Sequence, residues 1–77
     1  MDKRFWDILK QINPEILENE NADLLDDGLL DSLLIMNLVS KLESTFGIEF
    51  EPDEIAPENF ESVDAIWNLV RQHMGED

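Results

Sequence analysis

Nucleophilic catalysis needs a hydroxyl, thiol or amine with a base within reach, and this chain offers few such combinations. It contains no cysteine and one histidine, His73. His73 falls in the last turn of a C-terminal amphipathic segment, where a cation favours the helix dipole, and is read as a solvated helix-end residue. Three glycines in all leave no glycine-rich loop to cradle a phosphate. Nineteen carboxylates are present, but acid–base catalysis needs two of them in distinct environments inside a pocket. A chain of 77 residues with one small core has little room for such a pocket. The expectation is a protein that is not an enzyme.

Two clusters remain. Asp23, Asp26, Asp27, Gly28 and Asp31 lie close together in the sequence, as in a calcium-binding loop. If Gly28 is set at the sixth position of such a loop, the third position is Leu25 and the twelfth is Leu34, where oxygen ligands are required. No dedicated metal site is expected; loose divalent-cation binding along Asp23–Asp31 is the alternative. The second cluster is Asp31-Ser32-Leu33. Ser32 opens an amphipathic segment, so its structural role is an N-cap or a neighbour of one.

Three helical stripes must position these residues. Phe5, Ile8, Leu9 and Ile12 follow the i, i+3, i+4, i+7 spacing of an amphipathic helix, which Pro14 ends near Asn13, with room for a short turn through Pro14 to Leu17. The second helix is predicted from Asp31 or Ser32 to Phe46, its buried stripe being Ile35, Leu38, Val39, Leu42 and Phe46. Gly47 stands where a left-handed C-terminal cap favours glycine. The last helix repeats that spacing with Val63, Ile66, Trp67, Val70 and Met74, capped by Ser62 and stopped by Gly75. Glu18 to Gly28 is a long acidic loop that Ala22, Leu24 and Leu25 must pin to the core. Between the later helices, Pro52 and Pro57 each start a short helical turn, in an extended linker anchored by Ile48, Phe50, Ile55 and Phe60. The predicted fold is all-α, a small four-helix bundle of three main helices plus a short third helix, in one domain covering residues 1–77.

Composition narrows the partners. Five Lys plus Arg against nineteen Asp plus Glu gives a formal charge of −14. No basic patch is available to displace counterions from nucleic acid or to bind an anionic membrane. Yet 43% of the residues are hydrophobic, enough to drive folding where an acidic disordered tail could not. No stretch approaches eighteen apolar residues and no apolar run follows early basic residues, so neither a membrane span nor secretion is expected and the cytoplasm is the default.

The run Asp26-Asp27-Gly28-Leu29-Leu30-Asp31-Ser32-Leu33, joining a loop to a helix start in an acidic, cysteine-free, all-helical chain, resembles the acyl and peptidyl carrier protein family. The resemblance extends over nearly the whole chain, through the Phe46-Gly47 helix end, the short turn after Pro57 and the closing helix. It implies a 4′-phosphopantetheine arm on the serine of Asp-Ser-Leu, here Ser32, with Asp31 as the adjacent helix-start carboxylate. It further implies a separate phosphopantetheinyl transferase, an acyl- or aminoacyl-loading ligase and downstream acyl-transfer enzymes as partners of a monomeric carrier. Acyl groups would travel on the arm as thioesters. A shallow apolar gap between the second and third helices is where a carrier of this kind could shelter cargo.

Helical geometry, advancing about 100° per residue, puts Leu33, Asn37, Ser40 and Ser44 opposite the buried stripe. Leu33 matches the family's hydrophobic partner contact, with Leu34 to one side and Asn37 on the outward face as further contacts. Glu43 is the only carboxylate within this helix, whereas carriers of fatty-acid synthesis resemble one another in a strongly acidic one. The Gly-Leu-Leu-Asp-Ser run and the less acidic helix look more like D-alanyl carrier proteins. Fatty acyl carriage, aminoacyl or D-alanyl carriage, and an unmodified acidic adaptor binding a protein partner through the same face all stay open at this point. Trp67 is expected in the core and Trp6 at its edge.

Overall fold

Asp2 starts the first helix: its carboxylate accepts the Arg4 N–H at 2.7 Å and also pairs with the Arg4 guanidinium at 2.8 Å. The computed structural model describes residues 2–19 and 21–75. Helix α1 (Lys3–Ile12) buries Phe5, Ile8 and Leu9 and ends where Asn13 turns extended ahead of Pro14. One turn follows as α2 (Glu15–Glu18), which buries Ile16. Helix α3 (Ser32–Phe46) is closed by Gly47 at φ +65°, a left-handed conformation that costs glycine nothing and other residues about 1–2 kcal/mol. An extended linker then leads to a 3-10 turn at Pro52–Glu54, to the short α4 (Pro57–Phe60), and to α5 (Val63–His73). The Ser62 hydroxyl caps α5, accepting the Ala65 N–H at 3.0 Å. Among the described residues there is no strand.

One hydrophobic core joins all five helices, with Phe5, Leu9, Leu38, Leu42, Ile66 and Val70 at its centre. The acidic loop is anchored to it by Leu24, whose side chain is wholly buried. The backbone of Leu24 holds the loop from both ends. Its N–H donates to the Glu61 carbonyl at 2.7 Å, and its carbonyl accepts the Leu29 and Leu30 N–H groups at 2.9 and 3.0 Å. Asn13 adds a side-chain bond to the Leu29 carbonyl at 3.0 Å. Phe50 and Phe60 anchor the later linker as buried residues, with Ile48 and Ile55 half-buried beside them. Glu43 of α3 accepts the Phe50 N–H at 2.8 Å.

The predicted stripes need correction at Ile12, Ile35, Phe46, Trp67 and Met74, all half-buried. Ile35 and Phe46 are half-buried rather than core residues: Ile35 borders a groove, and Phe46 lies under the Arg4 guanidinium, 4.7 Å from its ring centre. Trp67 and Met74 are likewise half-buried, and Leu69 takes a core place on α5 instead. Trp67 packs against Phe5, 4.9 Å between ring centres, and edge-on to Phe46 at 6.3 Å. The buried face of α5 is therefore Val63, Ile66, Leu69 and Val70.

The predicted place of His73 is corrected as well. His73 is not a solvated end residue: its Nε2 lies 2.9 Å from both carboxylate oxygens of Glu54, and its ring stands edge-on to Phe50 at 4.9 Å. The pair fastens the end of α5 to the 3-10 turn across nineteen positions of sequence. The Glu51 N–H first, and then His73, hold the Glu54 carboxyl below the usual carboxylate value of 4.5. A carboxyl depressed in this way stabilises the fold above its ordinary pKa, and that contribution is lost as pH falls through the folded value. His73→Ala is expected to lower Tm at neutral pH by several degrees. The gap between wild type and Glu54→Gln, followed by circular dichroism, should narrow as the pH drops below about 4.5.

No charged side chain is buried among the described residues, so the net charge of −14 is spread over the surface, where salt screens it. The small core of such a domain supplies about 3–5 kcal/mol, so relief of repulsion is a large fraction of the whole. Tm is expected to rise by several degrees between about 20 and 300 mM NaCl, as the Debye length shrinks. A flat or falling Tm would remove self-repulsion from the account.

Candidate functional site

The N-terminus of α3 is built by Asp31. Its backbone is extended, its carboxylate accepts the Leu34 N–H at 2.8 Å, and its carbonyl accepts the Ile35 N–H at 2.8 Å. Of the two roles open to Ser32, cap or neighbour of a cap, the structure shows the second. Ser32 is the first helical residue and is exposed, and its hydroxyl is not spent on capping. The first N–H groups of a helix have no intrahelical acceptor, so Ser32 stands at the positive end of the helix dipole.

A groove of about 510 Å³ opens beside it, between the start of α3, the loop residues Leu25 and Leu30, and the segment from Ile55 to Phe60. Asp31 and Ser32 are the polar residues of its lining; Ile35, Met36, Ala56 and Pro57 are among the apolar ones. The gap expected between the second and third helices is therefore present as a groove whose rim carries the serine hydroxyl. Its floor could not be placed in advance, because Leu25, Ile55 and Pro57 reach it only through tertiary folding.

The other predicted site residues divide. Leu33 is 71% exposed and Asn37 is exposed, while Leu34 is half-buried, turned partly towards the core. The reading missed Met36, which is 57% exposed. Its spacing of three from Leu33 on the outward arc of the helix is the signal that points to it. In the loop, Asp23 is occupied locally, accepting the Leu25 and Asp26 N–H groups at 3.1 Å each. No group of three or more potential metal-ligating side chains comes together among the described residues.

This geometry, an exposed serine at a helix start beside an apolar groove, coincides with a family match. Residues 7–70 fit the model described as "Phosphopantetheine attachment site". The chain belongs to the phosphopantetheine-attachment carrier family. Among curated proteins, it is 29% identical over 79 residues to the D-alanyl carrier protein of Lactococcus lactis subsp. cremoris (strain MG1363), covering all of both chains. It is 39% identical over 57 residues to the D-alanyl carrier protein of Listeria innocua serovar 6a (strain ATCC BAA-680 / CLIP 11262), which covers 65% of this chain and 73% of that one. No solved structure shows a significant match. The carrier's covalent cofactor is 4′-phosphopantetheine, and membership of the family implies partners that attach the arm and load it. No helix of the described residues is long and apolar enough to cross a membrane.

Proposed function

We propose that this protein is a monomeric, one-domain carrier that holds an acyl or aminoacyl group on an arm attached to Ser32. The observation that carries the reading is the division of labour at the start of α3. Asp31 makes the capping bond, so the neighbouring Ser32 hydroxyl is both exposed and uncommitted. In the attachment step, Ser32 Oγ forms a bond to the phosphorus of coenzyme A that carries the pantetheine. The bond from that phosphorus to adenosine 3′,5′-bisphosphate breaks, and the hydroxyl proton passes to a base on the transferase. The new phosphodiester lies where a helix N-terminus favours negative charge.

The arm supplies the thiol that the chain lacks, and with it a thioester for the cargo. Ile35, Met36, Ile55 and Pro57 would hold the apolar part of the arm when it lies along the groove. Leu33, Leu34 and Asn37 would meet the enzymes that visit it. A need for coenzyme A in attachment and ATP in loading supports a cytoplasmic location.

Of the cargo classes, aminoacyl cargo of the D-alanyl type is the more specific reading. It is supported by the names of the two relatives and by α3, whose single carboxylate, Glu43, is turned to the Phe50 N–H. The test is to attach the arm and then supply ATP with either D-alanine and a D-alanine-activating ligase or a fatty acid and an acyl-activating ligase. The expected product is a D-alanyl thioester, seen by intact mass and released by hydroxylamine. A carrier loaded by the fatty acid and refused by D-alanine would overturn the cargo and keep the carrier.

A further inference from the structure

The groove beside Ser32 has two walls of different make. One is helix α3, with Ile35 and Met36. The other includes Ile55 and Ala56, which lie between the 3-10 turn and α4 and outside any helix. Glu54 stands directly before them and is bonded through both its main chain and its side chain. Its carbonyl accepts the Asn59 side-chain amide at 2.8 Å, a bond that bridges the groove-lining residues. Its carboxylate accepts the Glu51 N–H at 2.8 Å and meets Nε2 of His73, on α5, at 2.9 Å. Buried Phe50 stands edge-on to that imidazole at 4.9 Å, and the Phe50 N–H is held by Glu43 of α3 at 2.8 Å. This run of contacts, Glu43, Phe50, His73 and Glu54, links the helix of the first wall to the second.

A wall outside the helices keeps its place only as well as the groups flanking it hold it. Ile55 follows Glu54 directly, so a shift of the Glu54 backbone is carried straight into the groove. We propose, resting on the carrier reading above, that His73 is a positioning residue for the arm: through Glu54 it fixes the Ile55–Pro57 wall against which the arm lies. An Nε2–H is available in the imidazolium and in one neutral tautomer, so the hold does not require a charged His73. Neither His73 nor Glu54 belongs to the hydrophobic core. Loss of their contact therefore loosens the groove while the core stays packed.

The test compares wild type with His73→Ala, Glu54→Ala and the double variant, as full chains with and without the arm. Without it, amide exchange at Ile55 and Asn59, followed by NMR, should be faster in His73→Ala by about threefold or more, after correction for any change at Leu38 and Leu42 in the core. With the arm attached, the shift that it induces in the Ile55 methyl signals should fall to about half of the wild-type value or less. Each effect should vanish when His73→Ala is made in the Glu54→Ala background, since the histidine acts through that carboxylate. Ser62→Ala weakens the cap of α5 and serves as a merely structural loss; it should leave both corrected readouts near wild type. Unchanged readouts in His73→Ala, equal effects in Ser62→Ala, or a full His73→Ala effect without Glu54 would each overturn the inference. So would an arm that leaves the wild-type Ile55 signals unmoved. Wild type that takes no arm at all would instead overturn the carrier reading, while exchange in the arm-free protein still decides whether His73 holds the wall.

Discussion

Ser32→Ala is expected to abolish arm attachment completely while leaving the fold in place. The substitution removes an exposed hydroxyl at the first position of α3, and it leaves the Asp31 cap on Leu34 intact. Alanine is also the better helix former, by up to about 0.5 kcal/mol. Tm should therefore stay within about 4 °C of wild type, and intact mass after treatment with transferase and coenzyme A should show no addition. Ser40→Ala, Ser44→Ala and Ser62→Ala serve as controls that retain the site. Ser62→Ala carries its own cost of about 1 kcal/mol, because its hydroxyl caps α5. Full attachment to Ser32→Ala would move the site to another residue.

Leu24→Ala should destabilise the fold strongly. The side chain is wholly buried, and truncating a buried leucine costs about 2–5 kcal/mol through lost burial and the cavity left behind. A domain of this size has about 3–5 kcal/mol in all, so the loss is comparable with the whole. At about 4–8 °C per kcal/mol for a domain of this length, Tm is expected to drop by about 10 °C or more. The loss reaches the site, because Leu24's carbonyl holds the N–H groups of Leu29 and Leu30, and Leu30 lines the groove at Ser32. Arm attachment should slow in parallel with unfolding and recover in high salt as the fold is restored. A Tm within about 3 °C of wild type would show that the loop is anchored elsewhere.

The elements that are legible in the sequence are those with local causes. Pro14 ends α1 and Gly47 closes α3 in the left-handed region, while Ser62 caps α5. Each acts through its own backbone or its nearest neighbours, so residue type and position are enough. The exposure of Leu33 follows the same way, from the angular spacing of one helix. What could not be read depends on which elements meet. Leu69 is buried and Trp67 half-buried, the reverse of the predicted stripe, because burial on α5 is set by the elements that pack on it and not by its own spacing. His73 finds Glu54 and Phe50 only after the linker folds back across the end of α5. At the site, the choice between Ser32 as cap and Ser32 as neighbour of a cap was ambiguous, since both Asp31 and Ser32 are good capping residues. The backbone decides it by placing Asp31 in the extended conformation one residue earlier. The groove walls come from three separated stretches, and no local pattern announces them.

The most direct measurement of the central claim is the location of the arm. Wild-type protein incubated with coenzyme A and a phosphopantetheinyl transferase, then digested and sequenced by tandem mass spectrometry, should carry one arm, on Ser32 and on no other hydroxyl. An arm found on Ser40, Ser44, Ser62 or a threonine, or no arm under conditions that modify a control carrier, would contradict it.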